Sequence, residues 1–348
     1  LRWIILLLVV IATSITLSSC TAPGAYADRN PYVENKDTDA IDFFMMRWFG
    51  DEEWADQHAE VEENPALVPM TDVSFARILQ PGTKPQLTWL GHATFLLQYR
   101  GLNVLTDPIL SERASPVSFT GPKRLTPAPL TTAELPPIDY VVISHNHYDH
   151  LDEETVAALG EDIIYLVPLG LTEWFVELGI NAQQVREFDW WQQADFGALR
   201  ITATPSQHWS ARSLWDRNDT LWATWHIEIA DWQVWFAGDT GYNSVQFKEI
   251  GQQFPQIDVA LIPIGAYQPR WFMKPQHVNP EEAVQMHFDL GATQSYAMHW
   301  GTFQLAAESL AETHADYATA LARHNLSEQT FSQLKIGETR ISMPYKPK

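Results

Sequence analysis

The chain has 348 residues, 45% of them hydrophobic and 19% charged, a folded globular composition long enough to bury a substantial core. Acidic residues outnumber basic ones 43 to 22, a formal charge of -21, which speaks against a nucleic-acid binder that works by neutralising phosphates. A single cysteine rules out an intrachain disulfide and any zinc finger built on two or more thiolates.

In chain order, Arg2 precedes an apolar run from Trp3 to Ile15 that ends in Leu17-Ser18-Ser19-Cys20. Its length and flanks predict a secretory signal, the competing reading being an uncleaved membrane anchor. Leu-Ser-Ser-Cys resembles the lipobox of bacterial lipoproteins. That resemblance implies loss of residues 1–19, a lipid on Cys20 and attachment to a membrane surface. Thr21, where an Asp would retain a lipoprotein at the inner membrane, points to the outer membrane of a Gram-negative envelope, facing the periplasm. A polar tether follows from Thr21 to Asp37. Ile41, Phe44, Met45 and Trp48 then recur at helical spacing, with Phe43, Met46 and Phe49 widening the stripe. Such a face suits either the main core or a bilayer interface. The expected organisation is a signal over 1–19, a lipidated tether and helical extension over 20–80, and a main domain over 81–348.

From about Pro81 short strands alternate with helices, a mixed α/β pattern with strands paired mostly to their neighbours. Strands are expected at Leu87–Leu90, Phe95–Tyr99, Asn103–Leu105, Tyr140–Ser144, Ile164–Val167, Leu199–Thr204, Thr224–Ile229, Gln233–Ala237, Val259–Ile262 and Ser295–His299. Asn279-Pro280-Glu281-Glu282 supplies an N-cap, a Pro at N1 and a capping-box Glu for a helix that Gly291 ends.

The chemistry concentrates after the apolar strand Tyr140-Val141-Val142-Ile143, in Ser144-His145-Asn146-His147-Tyr148-Asp149-His150. Three imidazoles and a carboxylate in six residues are donors that zinc accepts readily. The i, i+2 spacing lets His145 and His147 point one way from extended backbone, while Asp149 and His150 turn to a neighbouring point. So tight a loop suggests two adjacent ions; the competing reading is an exposed polar loop. Three further donors, His208, Asp239 and His299, each follow a strand.

The order HxHxDH, His, Asp, His resembles the metallo-β-lactamase superfamily. The resemblance implies a four-layer αβ/βα sandwich, of class α/β, with metals at one edge of two packed sheets. It implies His145, His147 and His208 on one zinc, Asp149, His150 and His299 on a second, and Asp239 with a hydroxide bridging the two Zn2+. It also places Asp107 where it can orient an imidazole; a turn-forming Asp before Pro108 is the alternative. His92 either lines the pocket or is structural. His287 reads as core, and His58, His226, His314 and His324 lack a metal-like context.

Longer stretches are similar to the N-acylphosphatidylethanolamine phospholipase D family over roughly Leu87 to Gly337. They include Thr88-Trp89-Leu90-Gly91-His92-Ala93-Thr94, Gly121-Pro122-Lys123-Arg124, Pro205-Ser206-Gln207-His208-Trp209, Ile262-Pro263-Ile264-Gly265-Ala266-Tyr267 and Arg270-Trp271-Phe272-Met273-Lys274. This similarity implies hydrolysis of an N-acyl phospholipid to N-acylethanolamine and phosphatidic acid. Asp149 would orient the attacking hydroxide, and Tyr148, Gln276 and His277 would contact the phosphate, His277 as hydrogen-bond or proton donor. Trp190, Trp191, Trp222, Trp225, Trp232 and Trp235 read as packing residues, Trp209 and Trp300 as walls of the site. The competing functions are a lactonase or β-lactamase on the same scaffold and a non-catalytic lipid-binding envelope protein. Oligomeric state is not legible.

Overall fold

The computed structural model describes residues 24–27, 29–32, 50 and 53–342; Cys20, the segment 1–19 and the Phe43 to Phe49 stripe lie outside the described residues. Two seven-stranded sheets face each other. The first contains β1 (Gln86–Gly91), β2 (Thr94–Tyr99), β3 (Leu102–Thr106), β4 (Tyr140–Val142), β5 (Ile164–Pro168) and β6 (Val185–Phe188). The second contains β7 (Gln193–Asp195), β8 (Leu199–Thr204), β9 (Thr224–Ile229), β10 (Trp232–Phe236), β11 (Val259–Pro263), β12 (Gln294–Met298) and β13 (Phe331–Gln333). β14 (Thr339–Ile341) returns to pair with β1, the one pairing among the described residues between strands not consecutive in the chain. The helices are α1 (Gln57–Glu63), α2 (Phe75–Leu79), α3 (Glu153–Leu159), α4 (Thr172–Glu177), α5 (Gln246–Gln253), α6 (Arg270–Met273), α7 (Pro280–Leu290) and α8 (Leu310–Arg323).

The central strands are buried on both faces, which is why they read as continuous apolar runs instead of alternating ones. Phe95, Leu97, Val104, Val142 and Leu166 point into the layer between the sheets, against Ile201, Trp225, Ile227 and Val234. The intervening Leu96, Leu105, Val141, Tyr165 and Val167 face outward under α3 and α4, with Val156 and Phe175. α7 starts as expected: Asn279 and Glu282 form a reciprocal capping box, Pro280 is first in the helix, and Gly291 closes it in the left-handed conformation. Residues on both sides of position 80 pack together. Gln98 Nε2 donates to the Ile78 carbonyl at 2.8 Å, and Gln57 Nε2 to that of Glu308 at 2.8 Å. Among the described residues no helix is long and apolar enough to cross a membrane.

Three expectations need correction. All four sheet edges, β14 and β6 in one sheet and β13 and β7 in the other, were missing from the expected strands. Trp191 is exposed, at positive φ in the turn after β6, instead of packed. Trp300 does not wall the site: its ring stacks on Trp89 at 5.4 Å and meets His314 edge-on, inside the core.

Topology sets where functional residues collect. β3, β4 and β5 run parallel, as do β10, β11 and β12, and β8 shares the direction of β10 through two antiparallel pairings. Their C-terminal ends, with the β1–β2 turn, therefore meet along one edge of the sandwich.

Candidate metal centre

β4 runs into the buried Ile143, and the chain then turns so that His150 N donates to the His147 carbonyl at 3.1 Å and Leu151 N does so at 2.8 Å. That turn brings four donors of one short loop to one place. His145 Nε2 and His147 Nδ1 approach to 2.8 Å, and His208 Nε2, from the loop after β8, lies 3.3 Å from the same His147 nitrogen. Asp239, three residues beyond β10, sets Oδ2 3.9 Å from His145 Nε2 and 3.8 Å from His208 Nε2. On its other side Asp239 reaches His150 Nε2 at 3.2 Å and, through Oδ1, His299 Nε2 at 3.1 Å. Asp149 Oδ2 completes that side, 3.2 Å from His150 Nε2 and 3.3 Å from His299 Nε2. The donors thus fall into two adjoining sets that share Asp239.

The rings of His145, His150 and His208 are each aimed by a partner on the other nitrogen, the usual way a protein fixes a metal-ligating tautomer. Asp107 Oδ2 accepts from His150 Nδ1 at 2.6 Å, and Asp107 Oδ1 from the Ser144 backbone at 2.6 Å. Ser144 Oγ contacts His145 Nδ1 at 2.8 Å, and the Gln276 carbonyl accepts from His208 Nδ1 at 3.0 Å. His92 Nε2 donates to Asp149 at 2.7 Å, which gives this buried histidine an orienting place beside the centre. A Cβ on Gly238, itself at positive φ, would lie 2.3 Å from the Ser144 side chain. Only glycine lets the Asp239 loop close against the β4 loop.

Burial pushes the His92, His147 and His208 imidazoles down to about 3, and His145 and His277 well below their usual range, so these rings are neutral. At His150 and His299 burial acts the same way, but Asp239 and Asp149 outweigh it, holding His150 well above the usual range and His299 at about 9. Against the same burial, His150 keeps Asp149 and Asp239 well below the carboxylate range. Two ionised carboxylates are thus balanced by two imidazolium rings, a charge role that a bound cation would take over. The donor set fits such an ion. His150 Nε2, His299 Nε2 and Asp239 Oδ1 are buried without a hydrogen-bond partner while facing one another. The 3.1–3.3 Å separations of His150 Nε2 and His299 Nε2 from the Asp239 and Asp149 oxygens lie at or just under the roughly 3.3 Å edge of a tetrahedron with 2.0–2.1 Å metal–nitrogen bonds. His145, His147, His208 and Asp239 each bring one donor atom to within 4.8 Å of the others, as do His92, Asp149, His150 and His299.

The other expected contacts divide. His277 stands at the rim, Nδ1 4.0 Å from Asp239 Oδ2 and its ring 5.1 Å from that of His208. Gln276 is buried, and its backbone carbonyl holds His208. Tyr148 turns aside: its hydroxyl donates to the Arg212 carbonyl at 2.6 Å, beneath a guanidinium 4.1 Å from its ring. Trp209 meets His147 edge-on at 4.4 Å. Arg212 itself was not expected. Its Nη1 donates to the carbonyls of Asn146 and Leu151, both at 2.8 Å, clasping the His-rich loop at its two ends. Glu308, also unexpected, is buried and accepts from the backbones of Ala266, Tyr267 and Gln268, holding the loop that leads to His277. No spacing marks either residue, because both act on backbone far away in sequence. His287 is buried with Nδ1 2.8 Å from Ser295 Oγ, His226 stacks on Phe254, His314 bonds the Leu67 carbonyl and His324 pairs with Glu281.

The family model of the beta-lactamase superfamily domain matches residues 102–300, which hold every donor of the two sets except His92. The chain is 41% identical over 263 residues to the N-acyl-phosphatidylethanolamine-hydrolyzing phospholipase D 1 of Caenorhabditis elegans, covering 72% of this chain and 74% of that protein. It is 38% identical over 233 residues to the mitochondrial N-acyl-phosphatidylethanolamine-hydrolyzing phospholipase D of Saccharomyces cerevisiae, covering 65% of this chain but 49% of that one. The crystal structure of an isothiocyanate hydrolase from Delia radicum gut bacteria superposes with a TM-score of 0.60 at 20% identity, over 75% of this chain and 100% of that one. That last likeness concerns the fold alone.

Proposed function

The chain belongs to the beta-lactamase superfamily, as a metal-dependent hydrolase akin to the N-acyl-phosphatidylethanolamine phospholipases D, and from that premise we propose that it is a zinc-dependent phosphodiesterase. Its substrate is an N-acylphosphatidylethanolamine-like lipid, cleaved to N-acylethanolamine and phosphatidic acid. The observation that carries this reading is the 41% identity over 72% of the chain, joined to a donor set divided into two adjoining halves. His145, His147, His208 and Asp239 would hold one ion, and Asp149, His150, His299 and Asp239 the other. When bound, such ions supply Lewis-acid charge for the phosphate oxygens and bring a water's pKa to about 7.

The protein's own groups divide the remaining work. Asp149, ionised and fixed by His92, accepts a hydrogen bond from the attacking water and aims its lone pair at phosphorus. His277, kept neutral by burial, donates a hydrogen bond to a phosphate oxygen and is a positioning donor more than a store of protons. Gln276 fixes His208 through its carbonyl, and Trp209 shields the His147 edge from water. Attachment through a lipid on Cys20 at the envelope would keep the enzyme beside this substrate.

The test is to incubate purified protein with N-acyl phospholipid, ordinary phospholipid, a lactone and a β-lactam, with and without chelator. Chelator-sensitive release of N-acylethanolamine and phosphatidic acid is expected, with about two zinc equivalents per chain that Asp239→Ala removes. Turnover confined to the ring substrates would overturn the proposal in favour of a lactonase or β-lactamase.

A further inference from the structure

Two loops flank a surface cavity of about 390 Å³ beside the metal-binding loop, whose lining includes Val117, Tyr148, Asp152 and Arg212. Their tips are unusually apolar for exposed positions. Val117 and Phe119 on the first are 36% and 80% exposed, and Leu214 and Trp215 on the second 74% and 61%. The second loop is well fixed, since Asp216 accepts from the backbones of Arg212 and Ser213 and Ser210 Oγ donates to the Thr220 carbonyl. Its large side chains are thus presented to solvent by an ordered turn.

A second observation concerns where the preceding chain arrives. Residues 24–27 and 29–32 lie as a strap beside this face. Tyr26 N donates to the Asn218 carbonyl at 3.1 Å, and a Cβ on Gly24 would sit 2.1 Å from the Arg217 carbonyl. Arg29 pairs with Asp189 and covers Trp190, while Asn30 Nδ2 donates to Gln246 at 2.9 Å and to the Ser206 carbonyl at 3.3 Å, two residues before His208. Cys20 precedes Gly24 by four residues, which span about 14 Å at most. An anchor attached at Cys20 would therefore be tied within about 14 Å of Gly24, which packs against Arg217 in loop 210–219.

We propose that loops 111–121 and 210–219 are the surface that lies against a phospholipid bilayer, with Val117, Phe119, Leu214 and Trp215 entering its interfacial layer and the metal-site mouth held at its edge. Aromatic and aliphatic tips on a polar body suit that layer. A second copy of the chain fits less well, because each brings a charge of -21 and the apolar groups stand on two separate tips instead of one flat face. The lipid-substrate reading given above is needed only for the kinetic arm of the test.

The full chain is reconstituted in phosphatidylcholine vesicles containing brominated acyl chains, and Trp215→Phe is compared with the unaltered protein. Loss of part of the bromine quenching in the variant is expected; identical quenching overturns the proposal. In the kinetic arm, Leu214→Ser/Trp215→Ser should hydrolyse vesicle-borne N-acyl phospholipid about tenfold more slowly while cleaving a short-chain, water-soluble diester at the unaltered rate. Equal slowing on both substrates would mark a folding defect and leave the decision to the quenching arm. If the unaltered protein cleaves neither substrate yet Trp215 is quenched, the docking face stands and the phosphodiesterase reading falls. If light scattering finds a dimer that the double variant splits, with quenching unchanged, the face is a self-contact and the bilayer proposal is overturned.

Discussion

His92, Asp107 and His299 hold their backbones at φ of 51°, 30° and 60°, a region that side chains other than glycine enter at a cost of order 1–3 kcal/mol. All three stand where a strand or tight turn ends, and the conformation turns each side chain towards Asp149, His150 or Asp239. Electrostatics at the same residues gives a pH prediction. In the metal-free protein His299 is raised from 6.5 to about 9, so its stabilising proton is fully in place below about pH 6.5 and is lost as pH rises through about 9. A metal needs the deprotonated ring, so affinity runs the other way and falls as pH drops below about 9. Zinc added to metal-free protein at pH 7.5 in weak buffer should release protons, about two per chain from His150 and His299, read with an indicator dye. Loading without proton release would contradict the assigned charge balance.

At the scale of elements, the loop after β4 is shaped as much by Arg212 as by its own sequence. The guanidinium clasps Asn146 and Leu151 and stacks on Tyr148 and Trp174, joining the loop after β8 to the one after β4. Arg212→Ala should weaken metal binding about 10- to 100-fold, as losses of supporting groups around metal ligands do. It should also speed amide exchange over 145–151 while leaving β9 and β10 protected. Lysine cannot reproduce both the planar stack and the paired donation, so Arg212→Lys should recover little. Unchanged affinity in the alanine variant would remove this role. The contrast between Arg212 and His145 also explains what was legible in the sequence. Interior strands declared themselves through apolar runs such as Tyr140-Val141-Val142-Ile143, and the donors through histidines crowded at strand ends. Edge strands did not. Gln193–Asp195 and Thr339–Ile341 are three residues long and largely polar, as sheet margins must be if they are not to recruit another chain, and nothing in such composition separates them from loops. Tyr148 illustrates a different limit: its neighbours in sequence are donors, yet its ring is captured by a residue 64 positions away.

For the whole molecule, the centre is a junction between the two sheets: His145 to His150 follow β4 of the first, and His208, Asp239 and His299 follow strands of the second. A bound ion therefore acts as a cross-link that the unfolded chain lacks, and its binding energy adds to folding energy. Removing metal should lower the midpoint of thermal unfolding by several degrees, since each 1 kcal/mol is worth roughly 1.5 °C in a chain of this size. Calorimetry with and without chelator measures this, and an unchanged midpoint would show that the sheets hold together without the ion. The same layout governs biosynthesis. The donors are scattered from His145 to His299, so no fragment that stops short of β12 carries the full set. A growing chain can complete neither half of the centre early: the first waits for Asp239, the second for His299. Filling of both halves thus waits until β12 is made, and the ions available in the compartment where the chain finishes folding decide which metal the completed centre keeps.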